Sequence, residues 1–188
     1  APDSDELVWT RGTTEAINLI TIAWGLDNVG EGDEILISTM EHHSNIIPWQ
    51  LLARRKGASL RYIEMDSQGR LILDDLPSLL SERTKVVALG HVSNALGTVN
   101  PIKDIAAAAH EVGALVVVDG AQGAVHTKVD VQDLGVDCYA FSGHKMCGPT
   151  GIGALWARKD LLESMSPYQG GGEMIHFVGR DESTWAKV

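Results

Sequence analysis

Cysteine, aromatic side chains and positive charge are all scarce in this chain of 188 residues. The two cysteines, Cys138 and Cys147, match neither a disulfide framework nor a metal-ligand spacing, so neither kind of scaffold is expected. No segment is long and apolar enough to span a bilayer, and no signal-peptide pattern opens the sequence. A secreted or membrane location therefore lacks support, and a cytoplasmic one is the expectation. Fifteen Lys and Arg against 25 Asp and Glu leave a formal charge of −10. That balance argues against nucleic acid or an anionic membrane surface as a partner. Internal repeats, low-complexity tracts and clear linkers are absent too.

What the chain does have is length for one α/β domain with a real core, and aliphatic runs in regular alternation. Thr13 to Gly25 carries apolar residues at helical spacing (Ile17, Ile20, Trp24), with Gly25 as the expected stop. Glu34 to Ser38 reads as a strand, Asn45 to Arg55 as a helix, and Leu60 to Ile63 as a second strand. A short helix over Leu76 to Leu80 and a strand over Val86 to Leu89 follow. Ile102 to Val112 is an alanine-rich helix between Pro101 and Gly113, and Leu115 to Val118 is the most hydrophobic strand. Cys138 to Phe141 and Ala154 to Ala157 are further strands, and Lys159 to Met165 a last helix before Gly170-Gly171-Gly172. Continuous Val/Ile/Leu strands with helices between them predict a three-layer α/β/α arrangement around a mostly parallel sheet. The ends suggest a piece of something longer: VWTRGTTEAIN comes almost at once, and TWAKV closes no helix over the fold.

In such sheets ligands sit beyond the carboxyl ends of the strands, and the polar residues that stand out lie there. After Phe141 the chain runs Ser142-Gly143-His144-Lys145 and then through Gly148, Pro149, Gly151 and Gly153, too glycine-rich for a helix or strand to persist. A lysine at a strand end can form a Schiff base when its surroundings favour the free amine; alone, it is equally a surface lysine in a turn. Arg11-Gly12-Thr13-Thr14-Glu15 offers hydroxyls and free N–H groups for a phosphate, or an ordinary N-cap with an acidic first turn. In Glu41-His42-His43-Ser44-Asn45 an imidazole could stack on a flat ring and move protons, or simply be solvated. Asp119, ending a buried strand, calls for a cation such as a protonated pyridine nitrogen, or caps the next turn. Phosphate cup, stacking imidazole, carboxylate and lysine together suit one cofactor, pyridoxal 5′-phosphate (PLP). A dinucleotide site would need G-x-G-x-x-G after the first strand, which is missing.

The stretches RGTTEAIN, EHHSNIIPW, HVSNALG, VDGAQGAVH, FSGHKMCGPTGIG and GGGEMI resemble, in register, the large domain of group II cysteine desulfurases and selenocysteine lyases. These are class V aminotransferases within the fold type I PLP enzymes. DGAQGAVH and LLESMSP are similar to the cysteine sulfinate desulfinase type. The resemblance implies that residues 1–188 form one PLP-binding large domain, truncated at both ends and lacking the small C-terminal domain. It implies that Lys145 carries PLP as a Schiff base and moves the Cα proton, and that Asp119 pairs with the pyridine nitrogen. Gln122 would bond the phenolic oxygen, and His42 would stack on the ring and assist proton transfer. Thr13, Thr14, Ser142 and His144 would hold the phosphate, and Asn94 would meet the substrate carboxylate; no metal is implied. The implied reaction converts L-cysteine to L-alanine, with sulfur passing to an enzyme cysteine as a persulfide, in a homodimer that feeds a sulfur-acceptor protein. Selenocysteine or cysteine sulfinate could replace cysteine. The resemblance also implies that the persulfide-forming cysteine and the arginine clamping the carboxylate lie beyond Val188. Cys138 reads as an inert core thiol and Cys147 as the exposed one. A class V aminotransferase, a kynureninase-like enzyme and a catalytically silent fragment are the alternative expectations.

Overall fold

A computed structural model describes residues 3–186. Seven strands form the central sheet: β1 (Leu7–Thr10), β2 (Glu34–Ser38), β3 (Ser59–Ile63), β4 (Thr84–Gly90), β5 (Leu115–Asp119), β6 (Cys138–Ser142) and β7 (Gly153–Ala157). Their spatial order is β1-β7-β6-β5-β4-β2-β3. The block from β3 to β6 is parallel, whereas β7 runs antiparallel to β6 and β1 antiparallel to β7. The expected mostly parallel sheet is therefore present, with a mixed edge.

Alternation along each strand explains why both faces must be covered. Ile35, Ile37, Val86, Ala88, Val117, Cys138, Ala140, Leu155 and Ala157 belong to one core cluster. Leu36, Val87, Leu89, Val116, Val118, Tyr139 and Trp156 belong to the other. The first face is closed by α1 (Thr13–Ile20), α3 (Ile47–Lys56) and α8 (Lys159–Ser164); the second by α4 (Leu76–Leu79), α5 (Ile102–Glu111) and α7 (Val131–Leu134). Each large aliphatic side chain removed from water contributes about 1.5–3 kcal/mol, so this double face is the main source of cohesion.

Three sequence expectations needed correcting. Gly25 does not stop the first helix. A π-helical turn (Thr21–Gly25) follows α1, and α2 (Leu26–Asn28) continues it, with Gly25 itself in right-handed helical geometry. Its glycine is required by packing: a Cβ there would lie 2.5 Å from Leu52 Cδ2 of α3. Second, Gly153 is not a turn residue but the first residue of β7, where a Cβ would come within 2.6 Å of Gly12 Cα. Third, β1 was not anticipated; Leu7–Thr10 is short, and Trp9 is 73 % exposed on its outer face, so the strand lacks the buried run that marks its neighbours. The chain between β5 and β6 adds α6 (Gly123–His126), and an exposed hairpin, β8 (Ile175–Val178) with β9 (Ser183–Trp185), follows the glycine run.

The chain lays β3 outside β2 and then returns to place β4 on the other side of β2. This reversal separates the loops leaving β2 and β4 and opens a crevice at the carboxyl ends of the strands.

Candidate active site

A cavity of ≈ 210 Å³ occupies that crevice. Five segments wall it, each delivered by the end of a strand or the start of a helix. At the β1–α1 junction Gly12, at φ 147°, turns the chain so that Thr13 meets Ser142. Thr13 N–H donates to Ser142 Oγ at 2.9 Å, and the two hydroxyls are 2.8 Å apart. The backbone of Gly12 can sit this close only because Gly153 has no side chain. Next to it Thr14 Oγ1 is 2.8 Å from Ser44 Oγ, tying the start of α1 to the loop after β2.

That loop carries Glu41, His42 and Ser44. Ser44 N–H donates to His42 Nδ1 at 3.1 Å. A backbone N–H cannot accept, so Nδ1 contributes a lone pair and the free proton site of the imidazole is Nε2. From the loop after β4 come Ser93, Asn94 and Asn100. Asn100 Nδ2 donates to Gly90 O at 2.8 Å, and its buried Oδ1 has no partner among the described residues.

Asp119 ends β5 and is 7 % exposed. Its Oδ1 accepts from Ala121 N–H at 2.9 Å. Burial raises its carboxyl above the ordinary carboxylate range; the Ala121 N–H and the nearby His42 and Lys145 oppose that rise. Gly120, beside it, lies against the Tyr139 ring, and Tyr139 OH is 2.9 Å from His91 Nδ1. Burial pushes the Tyr139 phenol up and the His91 imidazole down, so both are neutral props behind Asp119. Gln122 follows on the same wall. Finally β6 delivers Ser142, His144 and a half-buried Lys145, through a single 3-10 turn over Gly143–Met146 that Gly143 N–H anchors to Ile152 O at 2.8 Å.

All nine residues singled out from the sequence line this one cavity: Thr13, Thr14, His42, Asn94, Asp119, Gln122, Ser142, His144 and Lys145. Hydroxyls and helix N–H groups gather at one end, a buried carboxylate stands on a wall, and an amine and an imidazole are within reach of the same space. Glu41, Ser44 and Asn100 also belong to the lining and were not singled out. Glu41 follows a buried strand just as Asp119 does, so the same argument pointed to it; Asn100 gave no such signal. Neither cysteine is part of the lining: Cys138 is buried in β6, where burial raises its thiol, and Cys147 is exposed.

The sequence model of the aminotransferase class-V family matches residues 1–188. The chain belongs to that family. A probable cysteine desulfurase from Halalkalibacterium halodurans is 55 % identical over all 188 residues, which are 46 % of its length. Among solved structures, the cysteine desulfurase CsdA from Escherichia coli superposes with a TM-score of 0.96 at 45 % identity, covering 100 % of this chain and 47 % of that one. A cystine C–S lyase variant with glycine covalently linked to its PLP cofactor gives 0.83 at 30 % identity, covering 98 % of this chain and 49 % of that one. The chain thus spans about half the length of these class-V relatives.

Proposed function

We propose that residues 1–188 are the cofactor-binding large domain of a PLP-dependent cysteine desulfurase. In this reading the parent enzyme takes L-cysteine and releases L-alanine while sulfur moves to an enzyme cysteine; selenocysteine or cysteine sulfinate could take the place of L-cysteine, with selenium or an oxidised sulfur group leaving instead. The observation that carries the reading is the gathering of Lys145, Asp119, His42 and the Thr13/Ser142 pair around one cavity. The donor set suits PLP: a buried carboxylate needs a cation, and hydroxyls at a helix N-terminus need an anion.

When bound, PLP supplies an electron sink that makes a Cα–H acidic. The chain's own groups would do the rest. Lys145 Nζ would hold the cofactor covalently and carry the Cα proton. Asp119 would keep the pyridine nitrogen protonated, and Gln122 would donate to the phenolic oxygen. His42, with Nδ1 already engaged by Ser44 N–H, would cover the ring and pass protons through Nε2. Thr13, Thr14, Ser142 and His144 would bind the phosphate, and Asn94 the substrate carboxylate. The persulfide cysteine and the carboxylate-clamping arginine would come from the remainder of the parent protein, working as a cytoplasmic homodimer with a small sulfur-acceptor protein in iron–sulfur assembly.

Borohydride reduction after incubation with PLP, followed by peptide mass mapping, tests the core of this reading. A pyridoxyl group on Lys145 that disappears in Lys145→Ala is the expected result. Adducts scattered over surface lysines would overturn it.

A further inference from the structure

Behind His42 lies a buried carboxyl that none of the roles above uses. Glu41 leaves the end of β2 and is 9 % exposed. Ser38 Oγ is 2.5 Å from its Oε1, and Asn45 Nδ2 donates to its Oε2 at 2.7 Å. Asn45 Oδ1 in turn accepts from the indole N–H of the fully buried Trp49 at 2.9 Å. Across the crevice Oε2 packs against the end of β4, where a Cβ on Gly90 would lie 3.4 Å from it. The Gly90 carbonyl is held from the other side by Asn100. One carboxyl therefore links the two loops that the strand reversal pulls apart.

We propose that Glu41 is a positioning residue of this site: it ties the His42 loop to the end of β4, and its proton responds to charge bound beside Asp119. The first half stands on the contacts just given; the second rests on the PLP reading, which puts a cationic ring nitrogen at Asp119. Burial raises the Glu41 carboxyl to about 7, against the opposing hydrogen bonds from Ser38 and Asn45 and the nearby Gly90 backbone, and the Asp119 charge adds to the rise. The 2.5 Å contact with Ser38 survives in both states, Glu41 donating when neutral and accepting when ionised, and is the stronger with the ionised carboxylate. Ser38, Asn45 and Gly90, packed directly on it, are uncharged. The titratable groups sharing its cavity are His42 from its own loop, Asp119 from β5, and His144 and Lys145 from the exit of β6. His91 leaves β4 nearby with its imidazole engaged by Tyr139.

Carboxyl carbon NMR of the ¹³C-glutamate-labelled chain tests this. One resonance titrating near pH 7, and missing from Glu41→Gln, is expected. Gln keeps the shape and mimics the neutral acid, donating to Ser38 Oγ and accepting from Asn45. Ser38→Ala removes a bond that favours the ionised form and raises the midpoint. PLP lowers the midpoint by roughly half a pH unit or more, and by linkage PLP affinity rises through pH 7 more steeply in the wild type than in Glu41→Gln. Unfolding by urea follows the same logic: folding raises this carboxyl above its ordinary 4.5, so its stabilising contribution, complete below that value, is lost as pH rises through 7. Absence of any carboxyl titrating above pH 6, or a midpoint indifferent to Ser38→Ala, overturns the proposal. A midpoint unmoved by PLP while the Lys145 adduct forms overturns its second half and leaves Glu41 a structural anchor. With no Lys145 adduct the fault lies with the cofactor reading, and the titration of the free protein still decides the first half.

Discussion

Ser142 Oγ accepts the Thr13 N–H and lies 2.8 Å from Thr13 Oγ1, joining the last residue of β6 to the first turn of α1. Both partners are buried, at the wall of the cavity. Ser142→Ala leaves the Thr13 N–H unpaired, and a buried donor without an acceptor costs about 1–3 kcal/mol. The expected result is a lower urea midpoint at unchanged m-value, together with PLP binding weakened roughly tenfold or more, the equivalent of about 1.4 kcal/mol. Unchanged binding in the variant would remove Ser142 from the phosphate site. At this scale the sequence was informative about residue types but not about pairings. The Thr13–Ser142 contact joins positions 129 apart, and no local pattern encodes a separation of that size.

At the scale of elements, the strands were legible because burial on both faces demands unbroken Val, Ile and Leu. The first helix shows the opposite case. Its glycine resembles a terminator by local rules, yet Gly25 continues the helix so that α3 can approach, with Leu52 in the place a methyl group would take. Gly25→Ala should therefore destabilise despite the better helix propensity of alanine, by about 1–3 kcal/mol from overpacking. Thermal unfolding checks this, and Leu52→Ala in the same chain should recover part of the loss, since residues in contact are not additive. A stabilised Gly25→Ala would mean that α3 yields easily and that the glycine is a remnant of local preference only. β1 escaped notice for a related reason: four residues with an exposed Trp9 form a strand only because β7 offers them an open edge.

On the scale of the molecule, the reversal of strand order between β2 and β4 does the most for function. It opens the crevice into which five separate segments send polar side chains, from position 13 to position 145. A ligand bridging those segments should stabilise the fold by mass action. PLP at 100 times its dissociation constant adds about 2.7 kcal/mol, which for a chain of this size is an increase of roughly 5–10 °C in the unfolding midpoint. Differential scanning calorimetry with and without PLP measures it. The rise should be much smaller in Lys145→Ala, which loses the covalent link. An equal rise in both proteins would place PLP on exposed lysines rather than in the crevice.

By itself, the sequence determined the layer architecture, because unbroken apolar strand runs alternating with helical stripes can be buried together in few ways. It also determined the chemical inventory at the strand ends, since lysine, aspartate and threonine carry their chemistry wherever they stand. Tertiary structure alone decided the partners. It brought Ser142 under Thr13, wedged Leu52 against Gly25, and set Glu41 across the crevice from Gly90. Such contacts depend on the order in which strands pair, and that order is a property of the whole sheet.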